Sequence, residues 1–149
     1  MVFILTFTGF VDLKTLFNMN YYQNVKYSVK DPITAWVKEN TDPKDVFLTT
    51  PNVLDSVLLA GRPIFYGHPY YAWSAGYDTY KREETVKAIF ACKDEYKLNK
   101  LLKENNISYI LVDDGLRSQV EDLDEVFIST ALNKVTTISQ NNTNIYEVK

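Results

Sequence analysis

The 149-residue sequence has one cysteine and one histidine, and this scarcity excludes several kinds of site. A single thiol cannot form an internal disulfide framework or a multi-cysteine metal site, and one imidazole beside it does not supply the ligands of a structural zinc. No glycine-rich dinucleotide fingerprint, P-loop motif or GxSxG nucleophile motif occurs, so nucleotide binding and serine catalysis have no support. We therefore predict no catalytic residue, no cofactor and no metal for this chain.

A large excess of charge of either sign is also missing. Sixteen basic and nineteen acidic residues give a formal net charge of −3, and no basic block interrupts the sequence. Nucleic-acid-binding proteins need a basic surface, so we predict no nucleic acid as a partner. A hydrophobic content of 46% and a charged content of 23% are ordinary for a globular protein, and the length suits one domain with a proper core.

The amino-terminal residues 2–10, VFILTFTGF, are almost wholly apolar. A membrane-spanning helix takes about 20 apolar residues, so this run is too short to cross a bilayer by itself. It also lacks the basic start and the cleavage site of a signal peptide. Two interpretations stay open: a buried segment of the domain, or the last part of a transmembrane helix. We predict that residues 1–30 are the end of such a helix and a connecting segment, and that residues 31–149 form one α/β domain.

Helical and strand patterns alternate after residue 30. Asp31-Pro32 predicts a helix start, VFLTT (46–50) and PIFYG (63–67) predict strands, and ISYILVDD (107–114) is the clearest strand. Two runs on either side of Asn141-Asn142 predict a hairpin. The predicted fold is α/β, a three-layer Rossmann-like sandwich with a mostly parallel central sheet and a C-terminal β-hairpin.

Four further helices are predicted between these strands. The first covers residues 51–60, with Val53, Val57 and Leu58 facing inward, and Gly61 ends it. Asp78 or Thr79 begins a long helix, and Asp94 begins the next. A short acidic helix over residues 116–124 and a last helical turn over residues 127–132 follow the clearest strand.

Residues 59–82, LAGRPIFYGHPYYAWSAGYDTYKR, concentrate aromatic rings, the histidine and three cations. Glycine and proline interrupt each hydrophobic run, so we predict that most of this segment is loop. Aromatic loops on an α/β scaffold are common places for ligands, sugars in particular. The alternative is a small hydrophobic core under the loop. The residues predicted to bind a ligand are Arg62, Tyr66, His68, Tyr70, Tyr71, Trp73, Asp78, Arg82 and Asp113.

The predicted strand ends add a second reason to expect a site. Ligands of parallel α/β sheets sit outside the carboxyl ends of the strands, where Thr49-Thr50, the residues 66–68 and Asp113-Asp114 would share one rim. The alternative role for Asp113 is a helix or turn cap. His68 has two alternative roles. One is a structural hydrogen bond, and the other is general-base chemistry with an aspartate of the rim, in a small soluble enzyme.

Several phrases of the sequence together resemble a known family. They are W-V-K-E-N-T, D-P-K-D-V-F-L-T-T, L-A-G-R-P-I-F-Y-G, W-S-A-G-Y-D and L-L-K-E-N-N-I-S-Y-I-L-V-D-D, within residues 31–115. This set resembles the carboxy-terminal extracytoplasmic domain of polytopic GT-C-type membrane glycosyltransferases, and T-F-T-G-F-V-D-L resembles the end of their final transmembrane helix. More faintly, the arrangement resembles the soluble domain of oligosaccharyltransferase catalytic subunits. There an aromatic–acidic motif follows the first strand, whereas here the aromatic cluster follows the second, so that motif's peptide-binding role is not carried over.

The resemblance implies an enzyme that uses a polyprenyl-phosphate sugar donor and keeps its catalytic loops between membrane helices, outside this chain. The chain would be an extracytoplasmic accessory domain that helps to position acceptor or donor and is not catalytic alone. Its implied partners are the membrane-embedded remainder of the same polypeptide and a lipid-linked sugar or glycan acceptor, and its implied location is the extracytoplasmic side of a membrane. The alternative from the rim residues is a free-standing α/β module that binds a sugar or phosphosugar.

These two interpretations predict different native proteins. If the domain belongs to a polytopic enzyme, an antibody raised against it should detect a membrane-bound band far larger than 17.2 kDa in fractionated native cells. A soluble band at 17.2 kDa would contradict the glycosyltransferase interpretation and favour the free-standing module.

Overall fold

The computed structural model describes residues 31–121 and 123–149; the membrane and connecting segments predicted for residues 1–30 lie outside the described residues. The described helices and strands, in chain order, are α1 (Pro32–Asn40), β1 (Val46–Leu48), α2 (Ser56–Leu59), α3 (Pro69–Ser74), α4 (Thr79–Ala91), α5 (Glu95–Glu104), β2 (Ile107–Val112), α6 (Asp114–Gln119), α7 (Glu125–Ala131), β3 (Asn133–Ile138) and β4 (Thr143–Glu147). Within these two ranges no helix is both long enough and apolar enough to cross a membrane.

Aspartate side chains begin most of the helices after α1. Asp55, Asp78, Asp94, Asp113 and Asp124 each precede a helix and accept a backbone N–H from its first turn. An N-cap carboxylate satisfies one of the four N–H groups that the first turn leaves without an intrahelical partner. The predicted starts at Asp78 and Asp94 are therefore confirmed.

The strands form one mixed sheet in the order β1-β2-β4-β3. β1 and β2 are parallel, whereas β4 runs antiparallel to both β2 and β3. The α/β class and the β3–β4 hairpin are confirmed, but the prediction of a mostly parallel, Rossmann-like sheet is wrong. One physical reason is the hairpin turn, in which Asn141 and Asn142 adopt positive φ angles of 53° and 48° and reverse the chain.

The second reason that the sheet is not mostly parallel concerns the predicted strand PIFYG. Of its residues only Ile64 makes a parallel bridge, to Phe47. Phe47 N–H donates to the Pro63 carbonyl at 2.9 Å, and Phe65 N–H donates to the Phe47 carbonyl at 2.7 Å. These two bonds fix residues 63–65 along the outer side of β1 without extending into a full strand. The segment nevertheless forms an edge of the sheet.

Alternating side chains of the strands supply two separate cores. Leu48, Ile110 and Tyr146 pack with residues of α4, α5, α6 and α7 on one face, as period-two alternation requires. Phe47 and Tyr109 pack on the other face with residues of α1 and α2, and their rings stack with centroids 4.9 Å apart. Helices thus cover both faces of the sheet, in agreement with the predicted three layers.

Two predicted segments differ from the structure. The helix predicted over residues 51–60 begins only after its cap Asp55, so Val57 is buried while Val53 and Leu58 are 51% and 42% exposed. Gly61 follows this helix with φ +76°, as a left-handed glycine should. The predicted loop contains helix α3, because Pro69 suits the first turn of a helix and the residues between Pro69 and Gly76 contain no breaker.

Glu125 joins three elements through one carboxylate. Arg117 of α6 donates to both carboxylate oxygens, at 2.8 and 3.0 Å, while Asn144 and Tyr146 of β4 donate at 2.6 and 2.9 Å. Burial alone would raise the pKa of Glu125, but these donors outweigh it and hold the pKa below its ordinary value. The ionised form is therefore the one that stabilises the fold.

We expect Glu125→Gln to lower the free energy of unfolding at neutral pH by about 1–3 kcal/mol, because a charge-assisted network loses its acceptor. Urea unfolding of the 149-residue chain measures this. A depressed pKa in the folded state contributes stability above the unfolded pKa and loses it as the pH falls through the folded pKa. The difference between wild type and variant should therefore shrink on acidification below the ordinary glutamate pKa of 4.5.

Glu104→Gln is the matched control, because Glu104 forms only an exposed pair with Lys100, at 3.8 Å. We expect this change to stay within about 0.5 kcal/mol of wild type. Equal urea midpoints for Glu125→Gln and Glu104→Gln would contradict the structural role of the network.

Candidate functional site

An open cleft of about 600 Å³ follows the edge of the sheet made by residues 63–67. We call it the aromatic cleft. It is lined by Val46, Leu58, Pro63, Ile64, Phe65, Tyr66, Gly67, Tyr71, Ala72, Ala75, Tyr77, Thr79, Arg82, Asn105 and Asn106. Apolar and aromatic walls with a few polar groups are the usual lining of a small-molecule site.

The aromatic cleft lies beside the sheet edge and not at the carboxyl ends of the parallel strands. Val46 is the first residue of β1, and Asn105-Asn106 precede β2, so the amino ends of both strands contribute to its lining. This follows from the short pairing of residues 63–65, after which the chain leaves the sheet to form α3. The site is therefore made by an edge segment and a helix packed beside it.

Glycine and proline shape the wall that α3 provides. At Gly67 an added Cβ would lie 3.3 Å from Cδ1 of Ile64, so a side chain here would crowd the edge. Pro69 occupies the first turn of α3, and Gly76 ends the helix at φ +84°. The backbone N–H groups of Gly76 and Tyr77 donate back into α3 at 2.9 and 3.1 Å, which returns Tyr77 to the cleft.

Arg82 connects α4 with the sheet edge. Its Nη1 donates to the Phe65 carbonyl at 2.6 Å, and its guanidinium carbon lies 5.3 Å from the Phe65 ring centroid and 5.9 Å from that of Tyr77. Such contacts are cation–π interactions. A guanidinium has five N–H donors, so Arg82 can hold the edge and still bind an anionic or hydroxyl group of a ligand.

Two tyrosines of the aromatic cleft have different environments. Tyr66 is buried, and both its burial and its hydrogen bond to the negatively charged Glu83 raise the pKa of its hydroxyl. Glu83 is in turn paired with Lys87 at 2.8 Å. Tyr71 is 56% exposed, and its ring contacts those of Tyr70 and His68 at centroid distances of 5.5 and 5.4 Å. Tyr66 is therefore a buried part of the cleft wall, whereas the ring of Tyr71 is exposed to solvent.

The structure gathers three of the predicted ligand-binding residues, Tyr66, Tyr71 and Arg82, in the lining of the aromatic cleft. Tyr70 and Trp73 lie on α3 with 63% and 67% exposure, outside that lining. The other predicted residues occupy different surroundings, which are described next.

Arg62 and Asp78 have structural roles in this arrangement. The Arg62 guanidinium is buried and donates to the carbonyls of Ala60, Lys38 and Thr41, which ties the end of α1 to the segment after α2. Asp78 accepts the Lys81 N–H at 3.0 Å as the cap of α4. His68 precedes α3 without capping it, and its Nδ1 is buried with no hydrogen-bond partner in the described part of the chain.

The carboxyl ends of β1 and β2 meet, as the parallel pairing predicts. Thr50 donates to Asp113 at 2.6 Å, and the same carboxylate oxygen accepts the Leu116 N–H at 2.8 Å. An added Cβ at Gly115 would lie 3.2 Å from Asp113 Oδ1, so the backbone approaches closely here. Asp113 thus occupies the helix-cap position that the sequence offered as its alternative role.

Asp55 belongs to the same end of the sheet and was absent from the predicted site. It is 7% exposed and accepts hydrogen bonds from the Val57 N–H at 2.7 Å and from the Thr49 hydroxyl at 3.2 Å. Burial, with a smaller contribution from the charge of Asp113, raises the pKa of Asp55 to about 6. The sequence signal that could have located it is an aspartate directly before a short apolar helix.

The comparisons with known proteins agree with this architecture. A family model, Dpy19, described as Q-cell neuroblast polarisation, matches residues 1–144. The chain belongs to the Dpy19 family. Dpy19 is a family of GT-C-type mannosyltransferases. Among curated proteins, none matches the chain.

A solved structure is similar to this Dpy19 chain in fold. It is the C-terminal globular domain of an oligosaccharyltransferase from Archaeoglobus fulgidus, with a TM-score of 0.51 and 12% sequence identity over 79% of this chain and 95% of that one. At this identity the similarity concerns the fold alone. Family and fold together fit an accessory domain of a membrane glycosyltransferase, and they imply a membrane portion of the same polypeptide.

We expect the buried Asp55 carboxylate to make the Dpy19 domain more stable in mild acid. A folded-state pKa of about 6, above the ordinary 3.8, means that the fold binds this proton more tightly than the unfolded chain does. The contribution to stability therefore rises as the pH falls from about 7 to about 4. Asp55→Asn keeps an oxygen for the Val57 N–H but carries no charge, so the variant should be more stable at neutral pH by up to about 3 kcal/mol.

Urea unfolding at several pH values, comparing Asp55→Asn with wild type, measures this difference. Asp94→Asn is the control, since Asp94 caps α5 in the same way but is exposed, and we expect it to follow the wild-type pH dependence. If Asp55→Asn were less stable than wild type at neutral pH, the penalty assigned to the buried charge would be wrong.

Proposed function

We propose that this chain is an extracytoplasmic accessory domain of a polytopic Dpy19-family glycosyltransferase, and that it helps to position a lipid-linked sugar without being catalytic alone. The aromatic cleft is the observation that carries the proposal. It is large enough for a sugar phosphate and lies on a chain whose family transfers mannose. The donor class proposed is a polyprenyl-phosphate sugar.

The chemistry of the lining suits such a ligand. The apolar C–H faces of a sugar ring pack on aromatic rings, and the exposed ring of Tyr71 and that of Tyr77 both line the cleft. Arg82 supplies a guanidinium, which matches the geometry of phosphate oxygens. Asn105 and Asn106 add amide groups that can bind sugar hydroxyls.

The same lining supports a positioning role. Its polar side chains are phenols, one guanidinium, two amides and the Thr79 hydroxyl, a set that binds and orients a ligand. Transfer of the sugar would then take place in the membrane-embedded part of the polypeptide, with the domain holding donor or acceptor beside it. Binding that orients a reactant lowers the entropic cost of the reaction that follows.

The proposal predicts that the isolated 149-residue chain binds a mannosyl phosphate that carries a short, water-soluble isoprenyl group. In an NMR titration, shifts should saturate and concentrate on residues 63–82. Tyr71→Ala should weaken binding about tenfold, because one stacking ring is lost. Arg82→Gln should weaken binding of the sugar phosphate more than that of mannose, because the guanidinium interacts with the phosphate.

Tyr96→Ala is the matched control, since Tyr96 is 78% exposed on α5 and outside the lining of the cleft. It should bind like wild type. A titration that stays flat at millimolar ligand, or an equal loss in Tyr71→Ala and Tyr96→Ala, would contradict the proposal.

A further inference from the structure

Large apolar side chains are exposed together on α2, α3 and the residues next to them. We call this surface the α2–α3 face; it consists of Val53, Leu54, Leu58, Leu59, Tyr70, Tyr71, Trp73 and Tyr77, each between 42% and 67% exposed. Leu58, Tyr71 and Tyr77 also line the aromatic cleft, so α2 and α3 meet around its opening. Large apolar side chains exposed on neighbouring elements are a common feature of interaction surfaces.

Exposed charge is missing from this stretch of sequence. Between Ser56 and Tyr77 there is no aspartate, glutamate or lysine, and the residues that can carry a positive charge are Arg62 and His68. Arg62 is 8% exposed, with its guanidinium bonded to backbone carbonyls. In a chain in which 23% of residues are charged, residues 56–77 therefore bring almost no charge to the α2–α3 face.

We propose that the α2–α3 face lies on the interfacial layer of a lipid bilayer. Tyrosine and tryptophan combine an apolar body with a polar edge and are enriched where membrane and water meet. Leucine and valine side chains on the same surface add area that can enter the acyl-chain boundary. Because the face has almost no charge, its attraction to lipid is apolar and does not need anionic headgroups.

The position of the aromatic cleft favours a bilayer as the partner of the α2–α3 face. The cleft shares Leu58, Tyr71 and Tyr77 with the face, so with the face on the membrane its opening meets the lipid surface. A polyprenyl-linked sugar would then enter from the bilayer without its lipid leaving the membrane. This step rests on the proposed function, whereas contact between the face and lipid does not depend on sugar binding.

Trp73 is a reporter within the α2–α3 face. The sequence has two tryptophans, Trp36 and Trp73, and Trp36 packs against the core between α1 and the sheet. In a Trp36→Phe variant of the 149-residue chain, fluorescence therefore comes from Trp73 alone. Its local signal separates contact of this face from attachment of the chain to vesicles through any other segment.

The test adds phosphatidylcholine vesicles with brominated acyl chains to this variant. We expect the lipid to quench Trp73 and to shield it from aqueous iodide, with little effect of added salt or of anionic lipid. If Trp73 stays as accessible to iodide with vesicles as without them, the proposal is overturned, and the membrane-embedded part of the polypeptide becomes the expected cover of the face.

Paired variants sharpen the result. Leu59→Ser with Tyr70→Ser removes two side chains of the face that do not line the cleft, and should raise the lipid concentration for half-maximal quenching about tenfold or more. The control pair is Tyr96→Ser with Val126→Ser, both 78% exposed elsewhere, which should leave quenching unchanged. Equal effects of the two pairs would overturn the proposal.

Sugar binding distinguishes the two proposals. The Leu59→Ser single variant should titrate with the soluble mannosyl phosphate like wild type in the absence of lipid, since Leu59 does not line the cleft, whereas Tyr70 contacts the ring of Tyr71. Trp73 quenching with a flat sugar titration would support the membrane contact and contradict the proposed function. Saturable sugar binding without Trp73 quenching would do the reverse.

Discussion

The two backbone hydrogen bonds between Phe47 and residues 63–65 are the constraint on which the candidate site depends. Phe47 is fully buried and stacks on Tyr109, so its backbone has a fixed place beside β2. The hydrogen bonds of Phe47 to Pro63 and Phe65 fix the outer edge of the sheet to this strand. Arg82 then clamps the same edge through the Phe65 carbonyl. This short pairing and the Arg82 contact together hold the wall of the aromatic cleft against β1.

The arrangement places the aromatic cleft next to the apolar α2–α3 face, with which it shares Leu58, Tyr71 and Tyr77. Charged side chains elsewhere serve the scaffold: Arg62 donates to backbone carbonyls, Glu125 joins α6, α7 and β4, and Asp55 and Asp113 cap helices at the strand ends. The polar groups of the described sheet ends are thus largely used in folding. This use of the polar groups fits an accessory domain of a membrane glycosyltransferase, as the Dpy19 family match indicates.

Local signals predicted the elements better than they predicted the sheet. Asp78 and Asp94 locate helix starts because a cap is a contact over three residues. Whether PIFYG becomes a strand depends on its partners, and β1, only three residues long, leaves it one bridge. Tyr66, Tyr71 and Arg82, which line the cleft, were among the predicted residues. Tyr77 lies in the same segment but was not in that set, and Asn105 and Asn106 were absent from it because only packing brings the end of α5 to the edge.

The sequence by itself determined the α/β class, the capped helices, the terminal hairpin and the aromatic segment 59–82, because these depend on side-chain periodicity and on contacts between near neighbours. Only the tertiary structure decided that β4 runs antiparallel beside β2, that Thr50 donates to Asp113, and that the cleft follows a sheet edge. Those features depend on contacts between residues far apart in the chain, such as Thr50 with Asp113, whose formation requires the packed core.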